Sequence, residues 1–184
     1  EMTSMLEDSA RQLFEAHCKP DQVRNVTRPA DIGVLWEALG AAGFADALKP
    51  EEEGGAGLHP IDVAPVLFEA GTHAIPLPLG ETMMLRAASP DAAQVGPIAI
   101  APAPFETTSS GDRLSHVPFG RVVDHVVARG DAGWALLPLE GGTVVPSPSN
   151  GSLSADILWP DGAPAGPVLA ARDWRALGAL MRAV

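Results

Sequence analysis

The 184-residue sequence has no tyrosine, and aromatic residues make up only 5% of it. A core drawn from this composition must rest on Ala, Leu and Val. Cysteine is nearly absent as well. Cys18 stands alone, which excludes an intrachain disulfide and fits a reducing cytoplasm. Positive charge is scarce, with 12 Lys and Arg against 23 Asp and Glu, for a formal net charge of −11. No basic cluster interrupts this balance. A surface this acidic repels phosphate backbones and anionic lipid, so neither nucleic acid nor a membrane surface is expected as a partner. Long hydrophobic runs are missing too, since no stretch approaches the roughly 18 apolar residues of a membrane span. Glu1 to Glu15 lacks the basic and apolar regions of a signal peptide, and the expected location is cytoplasmic. In that setting the sequons at Asn25 and Asn150 read as chance matches.

What is present favours a folded chain. Apolar residues reach 46% and charged residues 19%, a balance that suits a globular protein with a real core rather than a disordered one. The length allows one large domain or two small ones. The two halves read differently, giving an α+β expectation. It comprises an N-terminal α-helical domain (1–92), a small antiparallel β-sandwich or barrel domain (93–170), and the start of a further helix (171–184).

In the first half, Ser4 and Glu7 have capping-box spacing, and Leu6, Ala10, Leu13, Phe14 and His17 recur at helical intervals up to Pro20. A second helix is expected over Ile32 to Ala42, with Asp31 as its N-cap. Its buried stripe is Leu35, Leu39 and Ala42, and Gly43 is its stop. A third helix opens after Pro60, and a fourth runs from Gly80 to Ala88. Beyond Pro90 the expected strands are Val95–Ala101, Val122–Ala128, Trp134–Leu139, Thr143–Val145 and Ser152–Trp159. Turn signals such as Ser110-Gly111-Asp112, Gly130-Asp131 and Asp161-Gly162 lie between them. A last helix from Arg172 carries an apolar stripe of Trp174, Leu177, Leu180 and Met181, which calls for a partner surface.

Three stretches carry a family resemblance. They are Leu35-Trp36-Glu37-Ala38-Leu39-Gly40-Ala41-Ala42-Gly43-Phe44, then Pro50-Glu51-Glu52-Glu53-Gly54-Gly55-Ala56-Gly57-Leu58, then Asp62 and Glu69-Ala70-Gly71 continuing to Pro76. In this order and spacing they resemble the acyl-CoA dehydrogenase family. The resemblance resumes at Arg172-Asp173-Trp174, which looks like the opening of that family's C-terminal helical bundle. It implies FAD as cofactor and an acyl-CoA as substrate, oxidised at its α,β bond. It also implies lipid catabolism as the setting and a homo- or hetero-oligomer formed through the bundle. The family's catalytic Glu lies in the bundle, so no catalytic residue is assigned within this chain. Ala101-Pro102 stands where the family has a flavin-contacting Thr-Glu pair, and Phe119 falls close to its flavin-facing Trp. These departures resemble a degenerate subunit of a heteromeric member, and the alternative reading is a non-catalytic subunit or interaction module completing a partner's flavin site.

The candidate flavin-lining residues are therefore Ile100, Ala101, Phe119 and Gly120, as backbone donors and an apolar wall. Thr107, Thr108, Ser109 and Ser110 offer hydroxyls to a pyrophosphate or to CoA, against the simpler reading of a polar loop. Gly54-Gly55-Ala56-Gly57 follows three glutamates that would repel phosphate, so it reads as a tight structural loop. None of the five histidines has metal spacing. Asp124 and His125 are neighbours on an expected strand and would face opposite ways. Cys18 reads as a small buried hydrophobe.

Overall fold

A computed structural model describes residues 2–130, 132–149 and 151–169 of the chain. The helix and stripe expected from Arg172 onward lie outside the described residues. Helices α1 (Met2–His17), α2 (Pro20–Arg24), α3 (Gly33–Ala41), α4 (Pro60–Thr72) and α5 (Leu79–Ala88) precede all the strands. Ala10 and Phe14 on α1, with Cys18 just beyond it, recur every four residues and are buried in one core with Val63, Val66 and Ala70 of α4. Helix α1 spans Met2–His17, so Ser4 lies within it rather than at its start. Glu7 instead pairs with Arg11 one turn on, at 2.6 Å. Arg11 also reaches Glu69 of α4 at 2.9 Å and ties the two helices together.

The second expected helix starts one residue late. A 3₁₀ turn, Pro29–Ile32, comes first, and Asp31 caps that turn from within, accepting the backbone N–H groups of Thr27 and Arg28. Leu35 and Leu39 are buried as expected, but Ala42 is exposed. The helix ends at Ala41, and Gly43 turns the chain away at φ 76°. Pro60 opens α4 as expected, and Pro65 sits inside it.

Seven strands lie among the described residues: β1 (Ile98–Ile100), β2 (Glu106–Thr108), β3 (Gly111–Val117), β4 (His125–Gly130), β5 (Gly133–Pro138), β6 (Thr143–Pro146) and β7 (Ala155–Trp159). They form a three-stranded sheet, β1-β4-β5, and a four-stranded sheet, β2-β3-β7-β6. All pairs are antiparallel except β1 with β4, which is parallel because the chain crosses through β2 and β3 of the other sheet between them. The hairpin of β2 and β3 was not expected from sequence. Strand β2 is polar and exposed throughout, so it shows no alternation. Strand β3 buries Leu114 and Val117, three apart, because a bulge between them, with His116 at φ 54°, resets the period of two.

The two sheets pack face to face. Ala99, Val126, Ala128 and Leu137 of one meet Leu114, Val117, Ile157 and Trp159 of the other. The opposite face of the three-stranded sheet presents Ile98, Val127 and Leu136 to Leu85 of α5 and to Ala92. That sheet is buried on both faces, which is why Val126, Val127 and Ala128 in the middle of β4 are all apolar and buried. Leu85 is fully buried at this junction. Leu85→Ala should therefore cost about 2–5 kcal/mol of stability in a urea titration, and a loss under about 1 kcal/mol would show that the helix and sheet are not tightly packed there.

Candidate functional site in the loop between β3 and β4

The loop from Val117 to Val123 joins the two sheets and is held by backbone bonds. Gly120 N–H donates to Val117 O, Arg121 N–H to Leu153 O, and Val122 N–H to Phe119 O, at 2.9–3.1 Å. A Cβ on Gly120 would lie 3.0 Å from Val117 O and 3.3 Å from the Ala155 side chain, so only glycine lets this loop sit on β7 without a shift. Phe119 adopts φ 56°, a left-handed conformation that is costly for a bulky side chain. The surrounding bonds hold it there, and its ring packs against both the helical core and the core between the sheets.

Phe119 borders two clefts. The larger, about 570 Å³, runs between α2, the turn after α4, and the loops before β4 and β7; Val23, Arg24, Ile75, Arg121 and Leu153 line it. The smaller, about 360 Å³, lies along the end of α4 and the start of α5, with Leu67, Ala70, Leu79 and Glu81 on its walls. Both sizes lie in the range of small-molecule sites.

Of the four residues expected to line a flavin, Phe119 and Gly120 are neighbours in this loop. Ala101 is buried in the same inter-sheet core that Phe119 packs against. Its N–H donates to Val127 O at 2.9 Å and prolongs the β1 ladder. Ile100 packs with the cluster against α5. Neither Ile100 nor Ala101 lines either of the clefts at Phe119. The N–H groups of Ala101 and Gly120 are both spent on protein carbonyls, so neither is available to donate to a ligand.

The other candidates have structural explanations. Thr107 donates to Asp112 at 2.7 Å, and Thr108 donates to the Gly111 carbonyl at 2.9 Å, so both hydroxyls serve the β2–β3 hairpin. In the glycine loop the N–H groups of Gly54, Gly55 and Gly57 bond Glu51, Pro50 and Lys49 carbonyls. A Cβ on Gly55 would fall 2.2 Å from Lys49 O, so the glycines close a turn and leave no donors for phosphate. Among the described residues, no group of three or more His, Cys, Asp or Glu could hold a metal ion. Burial pushes the Cys18 thiol up to about 11, which leaves it protonated and unreactive at neutral pH. Sequence reasoning gave no role to Arg24, Arg121 or Glu81. The signal for Arg121 was a lone cation in the apolar stretch Val117–Val123.

Residues 1–90 match the family described as acyl-CoA dehydrogenase, N-terminal domain. The match spans the helical half of the chain, α1 to α5. Solved structures extend the likeness in fold over the strands. A glycine-to-alanine variant of the steroid ACAD Tcur3481-Tcur3483 superposes with a TM-score of 0.73 at 21% identity, covering 98% of this chain and 60% of that one. The ChsE4-ChsE5 complex from Mycobacterium tuberculosis gives 0.68 at 20% identity, with 98% and 60% covered. An acyl-CoA dehydrogenase from Geobacillus kaustophilus gives 0.68 at 16%, with 99% and 62% covered. At these identities the superpositions show the fold, and the chain spans about 60% of the length of the first of these structures. No curated protein matches the sequence. Among the described residues, no helix is long and apolar enough to cross a membrane.

One histidine beside the loop yields a pH prediction. His125 opens β4 half-buried, its Nδ1 buried without a partner, and burial lowers its pKa while the neighbouring Asp124 pulls the other way. The folded state thus prefers the neutral ring. The unfolded chain takes up the extra proton, so this contribution is complete above pH of about 6.5 and is lost as pH falls from there through the folded value. Urea midpoints measured from pH 8 to 5 should fall over that window in the parent protein, and less steeply in His125→Gln. Parallel curves would remove His125 as the source.

Proposed function

We propose that residues 1–92 and 93–170 form the helical and β walls of a flavin-dependent acyl-CoA dehydrogenase site, at which an acyl-CoA thioester is oxidised to the 2,3-enoyl-CoA. The observation that carries this reading is Phe119. A strained aromatic residue is held where the helical core, the inter-sheet core and two clefts meet. The fit to FAD is one of surface. An aromatic and apolar wall suits one face of an isoalloxazine ring, and of the structures that share the fold, a glutaryl-CoA dehydrogenase from Mycobacterium smegmatis is in complex with FADH2. FAD supplies the hydride acceptor. Within this chain, Phe119, Ile75 and Leu79 would exclude water and orient the acyl group, and the base comes from outside the described residues.

The spent N–H groups of Ala101 and Gly120 favour a second reading, in which the chain is a non-catalytic subunit completing a flavin site on a partner. The ChsE4-ChsE5 structure, a complex, supports pairing of this kind. In both readings association runs through the segment that resembles the start of the C-terminal bundle. A visible absorption spectrum of the protein with its copurifying chains decides the flavin question. Flavin bands are expected, with Phe119→Ala weakening FAD uptake at least tenfold. A colourless preparation that takes up no added FAD rules out the first reading.

A further inference from the structure

We propose that the 570 Å³ cleft is a binding site for a carboxylate carried on an apolar body, with the Arg121 guanidinium as its recognition fork. The chain is strongly acidic, at 23 acids to 12 basic side chains, and it matches its other partly buried arginines to carboxylates. Arg11 pairs with Glu69, Arg86 with Asp46, and Arg113 with Asp156. Arg121 is treated differently. Its Nη1 donates to the Ser152 carbonyl at 3.0 Å, which fixes the side chain in place. Its Nε is buried with no partner, as is that of Arg113, but unlike Arg113 it has no carboxylate among the described residues.

A guanidinium at a cleft wall with no carboxylate beside it leaves a charge uncompensated, and an anion bound in the cleft would offset that charge. A planar guanidinium donates to a carboxylate in a geometry that the two oxygens match. Arg24 lines the same cleft and is held only by Asp21, an exposed i,i+3 pair of little strength. The remaining walls used here, Val23, Ile75, Leu153 and Phe119, are apolar and suit a hydrocarbon body. The chain's overall charge of −11 weighs against multiply charged phosphates at the same place. The inference needs the cleft and the guanidinium only, and it stands apart from the flavin reading.

Isothermal calorimetry on the purified protein, with whatever copurifies, tests it using octanoate and 1-octanol. Octanoate should bind at least tenfold tighter than octanol. Arg121→Gln should erase that preference while leaving octanol affinity and the thermal midpoint unchanged. If Arg121→Gln does not fold, Arg121→Lys keeps the charge but not the fork, and should cut octanoate affinity several-fold. No octanoate binding, equal binding of the two probes, or a preference that survives the substitution at Arg121 would overturn the proposal. Suberyl-CoA against octanoyl-CoA then separates the sources. A suberyl preference lost in the Arg121 variant assigns the carboxylate to the far end of an acyl thioester, and octanoate binding without that preference assigns it to a free acid. A colourless protein that binds octanoate would leave this site standing and remove only the flavin reading.

Discussion

Thr82 lies in the middle of α5 with no exposed surface. Its hydroxyl accepts the Ile98 N–H at 3.0 Å and donates to the Pro78 carbonyl one turn back at 2.7 Å. Strand β1 is the edge of the three-stranded sheet, paired with β4 on one side only. A buried edge leaves backbone donors that must find partners. At Ile98 a helix side chain takes that place, so the sheet closes against α5 instead of against solvent. Leu85 then fills the space between that helix and Ile98, Val127 and Leu136.

The same helix sets the other layers. Arg86 grips Asp46 with two nitrogens at 2.9 and 3.1 Å, donates to the Val95 carbonyl, and lies over the Trp36 ring at 5.7 Å. One side chain thereby joins α5 to the turn after α3 and to the approach to β1. With α5 held on both sides, the turn that precedes it and the loop that carries Phe119 are brought together, and the two clefts are what remains between them. The clefts are thus a consequence of how a helical layer meets a sheet layer. That placement is common for ligand sites.

Two kinds of polar group occur at this meeting. Those with a structural task are satisfied inside the protein: the glycine-loop amides, the hairpin threonines, and the N–H groups of Ala101 and Gly120. Arg121 and His125 keep a buried nitrogen without a partner. For His125 the price is a ring held neutral. Arg121 has a backbone carbonyl for one nitrogen and no carboxylate among the described residues.

Much of the helical half was legible in the sequence. Phe14, Leu35, Leu39, Val63 and Val66 recur with helical period and are buried, and Pro60 and Gly43 mark ends because their backbone restrictions are local. The likeness of residues 1–90 to an acyl-CoA dehydrogenase N-terminal domain was legible for the same reason, since contiguous stretches around Trp36, Gly54 and Glu69 carry it. The β2–β3 hairpin was not, because one strand is wholly exposed and the other has its alternation broken by a bulge. The parallel pairing of β1 with β4, the exposure of Ala42, the helix position of Ser4 and the backward cap by Asp31 depend on neighbours distant in space or on where a helix begins. Phe119 was singled out from sequence, but its left-handed backbone and its two clefts were not. Local periodicity and backbone stereochemistry thus determined the helices and most strands. Partner choice, register and the placement of Arg121 on the Ser152 carbonyl rather than on a carboxylate came from packing between segments far apart in the chain, which no local pattern encodes.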